Sequence, residues 1–237
     1  MLQSETSDTW HYVSWCSSNV SQYMAVGLVN TLLLIAIVHG HRRLGSFMPR
    51  PFDGMKVIGF DLETTGFDCR SERIVEYAMV GCDSDGKHIS LCSLVDPEQK
   101  ISEQASRVHG ITNSDVKGLG NFSEHSERIS EMMEDAVIVG HNVVGFDWGF
   151  IKMECLRAGI EPPRIRGFVD TLKIARSLRV PGRHRLGDLC NRYGIDLERA
   201  HRADADASAS LLLLWNLMKE YPDSFRGPIQ DLIEPLD

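Results

Sequence analysis

A short apolar run that ends in two alternating carboxylates, Val57-Ile58-Gly59-Phe60-Asp61-Leu62-Glu63, constrains this chain more than any other segment. The run predicts a buried strand over residues 56–62. Side chains alternate along a strand, so Asp61 and Glu63 fall on one face. Adjacent carboxylates repel unless a cation neutralises them, and Mg²⁺ or Mn²⁺ takes hard oxygen ligands of this kind. Thr64-Thr65-Gly66 then ends the strand in a turn. A lone Asp-x-Glu also suits two solvated charges at a strand end; it is the whole string, Phe60 to Gly66, that sets it apart.

A second stretch, His201-Arg202-Ala203-Asp204-Ala205-Asp206, lies more than a hundred residues later. On one continuous helix a spacing of five turns two side chains about 140° apart. His201 and Asp206 therefore share a site only if a helix starts between them. Leu211, Leu214, Trp215 and Met218 supply that helix over residues 204–219. A carboxylate in its first turn is favoured by the helix dipole, and a loop histidine beside a metal centre suits a general base. Asp204 competes with Asp206 but points elsewhere on the helix; it reads as the N-cap. Between the two stretches, Ala136 to Gly140 reads as a short strand, and His141 to Gly145 as a loop into a helix carrying Asp147. Phe146 and Phe150, four apart, bury together and leave Asp147 on a neighbouring face.

Asp61, Glu63, Asp147, His201 and Asp206, in this order and context, resemble the DEDDh family of 3′-to-5′ exonucleases, which includes the proofreading epsilon subunit of bacterial DNA polymerase III. The resemblance spans residues 55–219 and takes in Val108-His109-Gly110-Ile111-Thr112. Four residues separate Asn142 from Asp147, one more than that family usually has. The resemblance implies a two-metal exonuclease using Mg²⁺ or Mn²⁺. Asp61, Glu63, Asp147 and Asp206 would serve the metals and His201 would be the base. Leu62, Thr64, Thr65, His109 and Phe146 would contact the terminal nucleotide. It leaves open whether DNA or RNA is cut, and whether the role is proofreading, repair or turnover. A lapsed, binding-only polymerase accessory is the rival reading, and five filled positions argue against it. Proofreading would call for a separate polymerase subunit or a sliding clamp.

The remaining sequence sets bounds. The chain has 237 residues, 43% of them apolar, and a net charge of −8, which suits a globular domain and not a general nucleic-acid coat. The charge is uneven: residues 161–202 hold ten Lys and Arg against five acids, just before His201. Such a strip fits a phosphate backbone or simply a solvated helical face. Six cysteines without metal-type spacing predict free thiols and a cytoplasmic setting. Residues 1–54 read as an extension outside the exonuclease domain (55–219), and 220–237 as a loose polar tail. The apolar run from Met24 to Val38 is short for a bilayer span of about 20 residues. It fits a packing helix, a weak membrane anchor, or sequence upstream of a start at Met48 or Met55; if it inserts, Arg42 and Arg43 keep the nuclease on the cytoplasmic side. The expected fold is α/β: a ribonuclease-H-like mixed sheet, three antiparallel strands first, with helices on both faces.

Overall fold

The computed structural model describes residues 51–197 and 199–234. The expectations for the segment from Met24 to Val38 and for the start of the chain lie outside these residues.

Strands β1 (Val57–Thr64), β2 (Ile74–Cys82) and β3 (His88–Leu94) form the expected antiparallel meander. The β2–β3 turn is held by Asp83, whose Oδ1 accepts from the backbone N–H of Asp85 at 3.0 Å and of Lys87 at 2.8 Å. Helices α1 (Glu103–His109), α2 (Asn113–Val116) and α3 (Phe122–Met133) lead to β4 (Val137–Gly140), which returns parallel to β1. Helix α4 (Asp147–Ala158) then leads to β5 (Gly167–Asp170), parallel to β4. Helices α5 (Thr171–Ser177), α6 (Leu186–Tyr193) and α7 (Ala203–Glu220) complete the order. The sheet runs β3-β2-β1-β4-β5. A ligand crevice is expected where parallel strand ends are flanked by crossovers of differing direction, here at the carboxyl ends of β1 and β4.

Both faces are covered. Val57, Val80, Val137 and Val169 pack with α6 and α7 residues such as Leu189, Leu211 and Leu214. Ile58, Phe60, Leu62 and Met79 pack with Ile129 and Met133 of α3 and Phe150 and Ile151 of α4. Strand parity decides this split, and it puts Gly59, Asp61 and Glu63 on the α7 side. Gly59 has a specific use. A Cβ there would lie 2.6 Å from the Ala207 carbonyl oxygen and 2.7 Å from Leu211 Cδ1, so the missing side chain lets α7 cross directly over β1.

Two boundary expectations change. Phe52 is 1% exposed in the α7-side core, so packing begins before residue 55. The tail is not loose as far as it is described: Phe225 is buried, Leu232 and Ile233 pack on the same core, and Glu234 bridges Phe168 of the edge strand β5. Covering that edge removes unpaired strand hydrogen-bonding groups. No helix among the described residues is long and apolar enough to cross a membrane.

Candidate active site

Asp61 and Glu63 leave β1 on the face crossed by α7, and Asp206 sits in the first turn of that helix. Carboxylate oxygens of the three residues lie within 4.8 Å of one another. Glu63 and Asp206 are each 9% exposed, and Asp61 is half-buried. Among the described residues Asp206 Oδ1 is buried with no hydrogen-bond partner, while Oδ2 accepts from the His201 N–H at 3.3 Å. Burial and mutual repulsion, from Asp147, Asp206 and Glu63 in that order, push Asp61 well above the usual carboxylate range. Glu63 rises to about 8, from burial first and then Asp206 and Glu76. Asp206 rises to about 6 by burial, against the opposing pull of His201. Three hard oxygen donors this close, each held short of easy ionisation, fit a divalent cation.

Asp147 lies outside that group of three but near enough to repel Asp61. As the first residue of α4, buried to 3% exposure, it accepts the Leu62 N–H on Oδ1 at 3.1 Å. Burial raises its pKa, partly offset by hydrogen bonds from backbone N–H groups, and Asp170 and Asp206 add repulsion. The extra residue after Asn142 is absorbed by the loop itself: Asn142 takes a left-handed φ of 68°, and its N–H donates to Asp170 Oδ1 at 3.0 Å. Phe146 and Phe150 pack together, with ring centroids 5.0 Å apart and planes tilted by 53°, Phe150 buried and Phe146 partly so. His201 is exposed on the rim, on the loop before α7, in a left-handed conformation with φ 64°.

Several expected contacts fall differently. The Leu62 side chain belongs to the opposite core, because parity turns it away from Asp61; only its N–H faces the site. Thr65 is 1% exposed and its hydroxyl is fully engaged, donating to Glu72 and accepting from the Arg73 N–H at 2.9 Å and Gln99 Nε2 at 2.8 Å. Its hydroxyl thus ties the loop together. Thr64 Oγ1 donates to the Gly66 carbonyl at 2.6 Å. His109 is buried beside the Thr64 backbone. Its Nδ1 accepts from the Ile111 N–H at 3.0 Å, so the proton of the neutral ring sits on Nε2, which is buried and unpartnered among the described residues. Asp204 is not the N-cap. That position is Arg202, and Asp204 instead accepts from Arg199 Nη2 at 2.6 Å.

Sequence reasoning passed over Glu76 and Asp170. Glu76 is a fully buried acid in a strand with no exposed residue, paired in register with Glu63. An ionisable residue inside an unbroken apolar strand is itself the signal, since such groups are rarely buried unpaired. Asp170 closes the His141–Phe146 loop, accepting from Asn142 and Val144 and capping α5 through Leu172 and Lys173.

Comparison with known proteins agrees with this geometry. The chain is 37% identical over 172 residues to the PolC-type DNA polymerase III of Latilactobacillus sakei subsp. sakei (strain 23K), an alignment covering 70% of this chain and 11% of the polymerase. The PolC-type polymerase of Listeria monocytogenes serovar 1/2a (strain ATCC BAA-679 / EGD-e) is 35% identical over 68% of the chain and 11% of its own length. The chain thus spans about a tenth of these relatives. Among solved structures, E. coli exonuclease I in complex with a dT13 oligonucleotide superposes with a TM-score of 0.64 at 22% identity, over 72% of this chain and 42% of that one. Exonuclease X in complex with 5′ overhanging duplex DNA gives 0.55 at 23% identity, over 73% and 95%. These structural likenesses show a shared fold, an α/β mixed sheet with helices on its faces. Residues 58–214 match the model of the Exonuclease family, and the chain belongs to that family.

Proposed function

We propose that this chain is a two-metal 3′-to-5′ exonuclease that removes nucleoside monophosphates from DNA 3′ ends. The observation that carries the reading is the convergence of Asp61, Glu63 and Asp206 from β1 and α7 to within 4.8 Å. Those three would hold one Mg²⁺ or Mn²⁺, with Asp61 and Asp147 serving a second. When bound, the ions would supply Lewis acidity at the phosphate and an acidified water. The chain's own groups do the rest. His201, exposed on the rim, would take the proton of the attacking water. The buried Nε2–H of His109 would donate to the strand, and Phe146 would stand beside the terminal nucleotide. Phe67, 79% exposed just after the Thr64-Thr65-Gly66 turn, offers a face on which a base can stack.

The basic strip supports a nucleic-acid substrate. Arg176, Arg179, Arg183 and Arg185 are exposed. The helix α5 and the loop after it, which carry them, are tied to the site: His141, at the start of the loop leading to Asp147, bonds the His184 carbonyl through Nε2 at 2.8 Å and Thr171 through Nδ1 at 2.9 Å. Phosphates of the strand would follow this loop toward the carboxylates. The relatives' names favour DNA over RNA, and a replicative polymerase as partner. The five described cysteines are free, which suits a cytoplasmic setting.

The test is degradation of 3′-end-labelled and 5′-end-labelled single-stranded DNA, of duplex DNA with a frayed 3′ mismatch, and of RNA, each with Mg²⁺, Mn²⁺ or chelator. Metal-dependent shortening of DNA from the 3′ end with release of mononucleotides is expected. Faster cleavage of RNA would move the assignment to 3′-end trimming, and no metal-dependent cleavage of any substrate would overturn it.

A further inference from the structure

We infer that Glu76 and Arg202 form a buried clasp that positions the His201 loop and Asp206 for the metal centre. Glu76 sits on β2 directly opposite Glu63, on the α7 side of the sheet, and its carboxylate is held by four donors. Arg202 grips it with both Nε, at 3.1 Å from Oε2, and Nη2 on Oε1. The Ala203 N–H, the first of α7, donates to Oε2 at 3.0 Å, and Cys92 Sγ lies 3.7 Å from Oε1. The two-pronged geometry is what a planar guanidinium offers a carboxylate and what an ammonium cannot.

The clasp stands where the site needs it. Arg202 and Ala203 lie between His201 and Asp206, so a single buried carboxylate on the sheet fixes the segment that holds both. His201 holds a left-handed backbone, φ 64°, immediately before the clasped pair Arg202 and Ala203. Its N–H to Asp206 Oδ2 contact, at 3.3 Å, depends on that backbone. Glu76 and Arg202 are thus positioning residues, reaching no substrate themselves.

The inference rests on the carboxylates being a metal site, and its test separates the two. Mn²⁺ binding to the full chain, without nucleic acid, is titrated by electron paramagnetic resonance for the parent, Glu76→Gln, Arg202→Gln, Arg202→Lys and the Glu76→Gln/Arg202→Gln double variant. Circular dichroism follows the fold, and kcat and KM are read on single-stranded DNA. Outer-shell partners of a metal site are typically worth about 10- to 100-fold. Each Gln variant should weaken Mn²⁺ binding and lower kcat by about that factor with KM little changed. The double variant should be no worse than either single, and Arg202→Lys should rescue only part. Should either single Gln variant fail to fold, the Glu76→Gln/Arg202→Gln double variant decides, because it leaves no buried charge unpaired. Folded variants that bind Mn²⁺ like the parent, or a double variant whose losses multiply, overturn the clasp. A parent that cleaves nothing while its variants still lose Mn²⁺ affinity would leave the clasp standing and remove the nuclease reading.

Discussion

Asp204 and Asp206 are two residues apart on the same helical turn, and their surroundings divide their work. Asp206 brings a carboxylate oxygen within 4.8 Å of those of Asp61 and Glu63, whereas Asp204 stays outside that group and pairs with Arg199. Asp206→Asn should abolish metal-dependent cleavage, because an amide oxygen is a weaker ligand for a hard cation. Asp204→Asn should keep most activity and cost less than about 1 kcal/mol, the worth of a partly exposed ion pair. Steady-state rates and thermal melts of both variants check this, and the reverse pattern would misplace the metal. His201 separates chemistry from binding. It lies outside the three-carboxylate cluster, so His201→Ala should lower kcat by about 10² to 10⁴-fold while leaving the Mg²⁺ concentration for half-maximal rate nearly constant. The acidic limb of the pH–rate profile should flatten in that variant. Recovery of the rate at high Mg²⁺ would make His201 a metal-site residue instead.

Helix α7 brings Asp206 to Asp61 because β1 lets it approach at Gly59. A methyl group there would meet the Ala207 carbonyl, which is backbone and cannot rotate away, so Gly59→Ala must push the helix off the strand. Overpacking of this kind costs about 1–3 kcal/mol. The displaced helix should also raise the Mg²⁺ requirement, a pairing of effects that a melt and a metal titration would reveal together; a stable variant with parental metal dependence would show that α7 is positioned elsewhere. The sheet side of this arrangement was legible in the sequence, since period two alone assigns Asp61 and Glu63 to one face and Leu62 to the other. Reading Leu62 as a nucleotide contact ignored that same parity. The start of α7 was legible from the spacing of His201 and Asp206, but its cap was not. The usual rule looks for a side chain that accepts from the helix N-terminus, and here a carboxylate 126 residues away, Glu76, does so across the sheet. Thr65 shows the same limit, because its partners Glu72 and Gln99 come together only once the loop has folded. The tail was illegible for a related reason: its polar, proline-containing composition says nothing of Gly167, where a side chain would collide with Ile233.

The folded chain as a whole stores unfavourable charge at one place, and that couples its stability to pH and to metal. In the metal-free protein Glu63 titrates at about 8 against an ordinary 4.5, and Asp206 at about 6 against 3.8. Groups with raised folded-state pKa values bind protons that the unfolded chain releases. Their favourable contribution is complete below the unfolded values and is lost as pH rises through 6 to 8. A divalent cation acts in the opposite sense, since it binds the ionised carboxylates of the native state and stabilises that state by mass action. The difference between melting temperatures with and without Mg²⁺ should therefore be small near about pH 5 and widen steadily toward about pH 8.5. Glu63→Gln should flatten the metal-free slope and, by weakening the site, shrink the Mg²⁺ gain. Other carboxylates impose their own pH dependence on the melt, but it is common to both arms and cancels in the difference. A gap that stays constant or narrows as pH rises would mean that Mg²⁺ does not bind where Asp61, Glu63 and Asp206 converge.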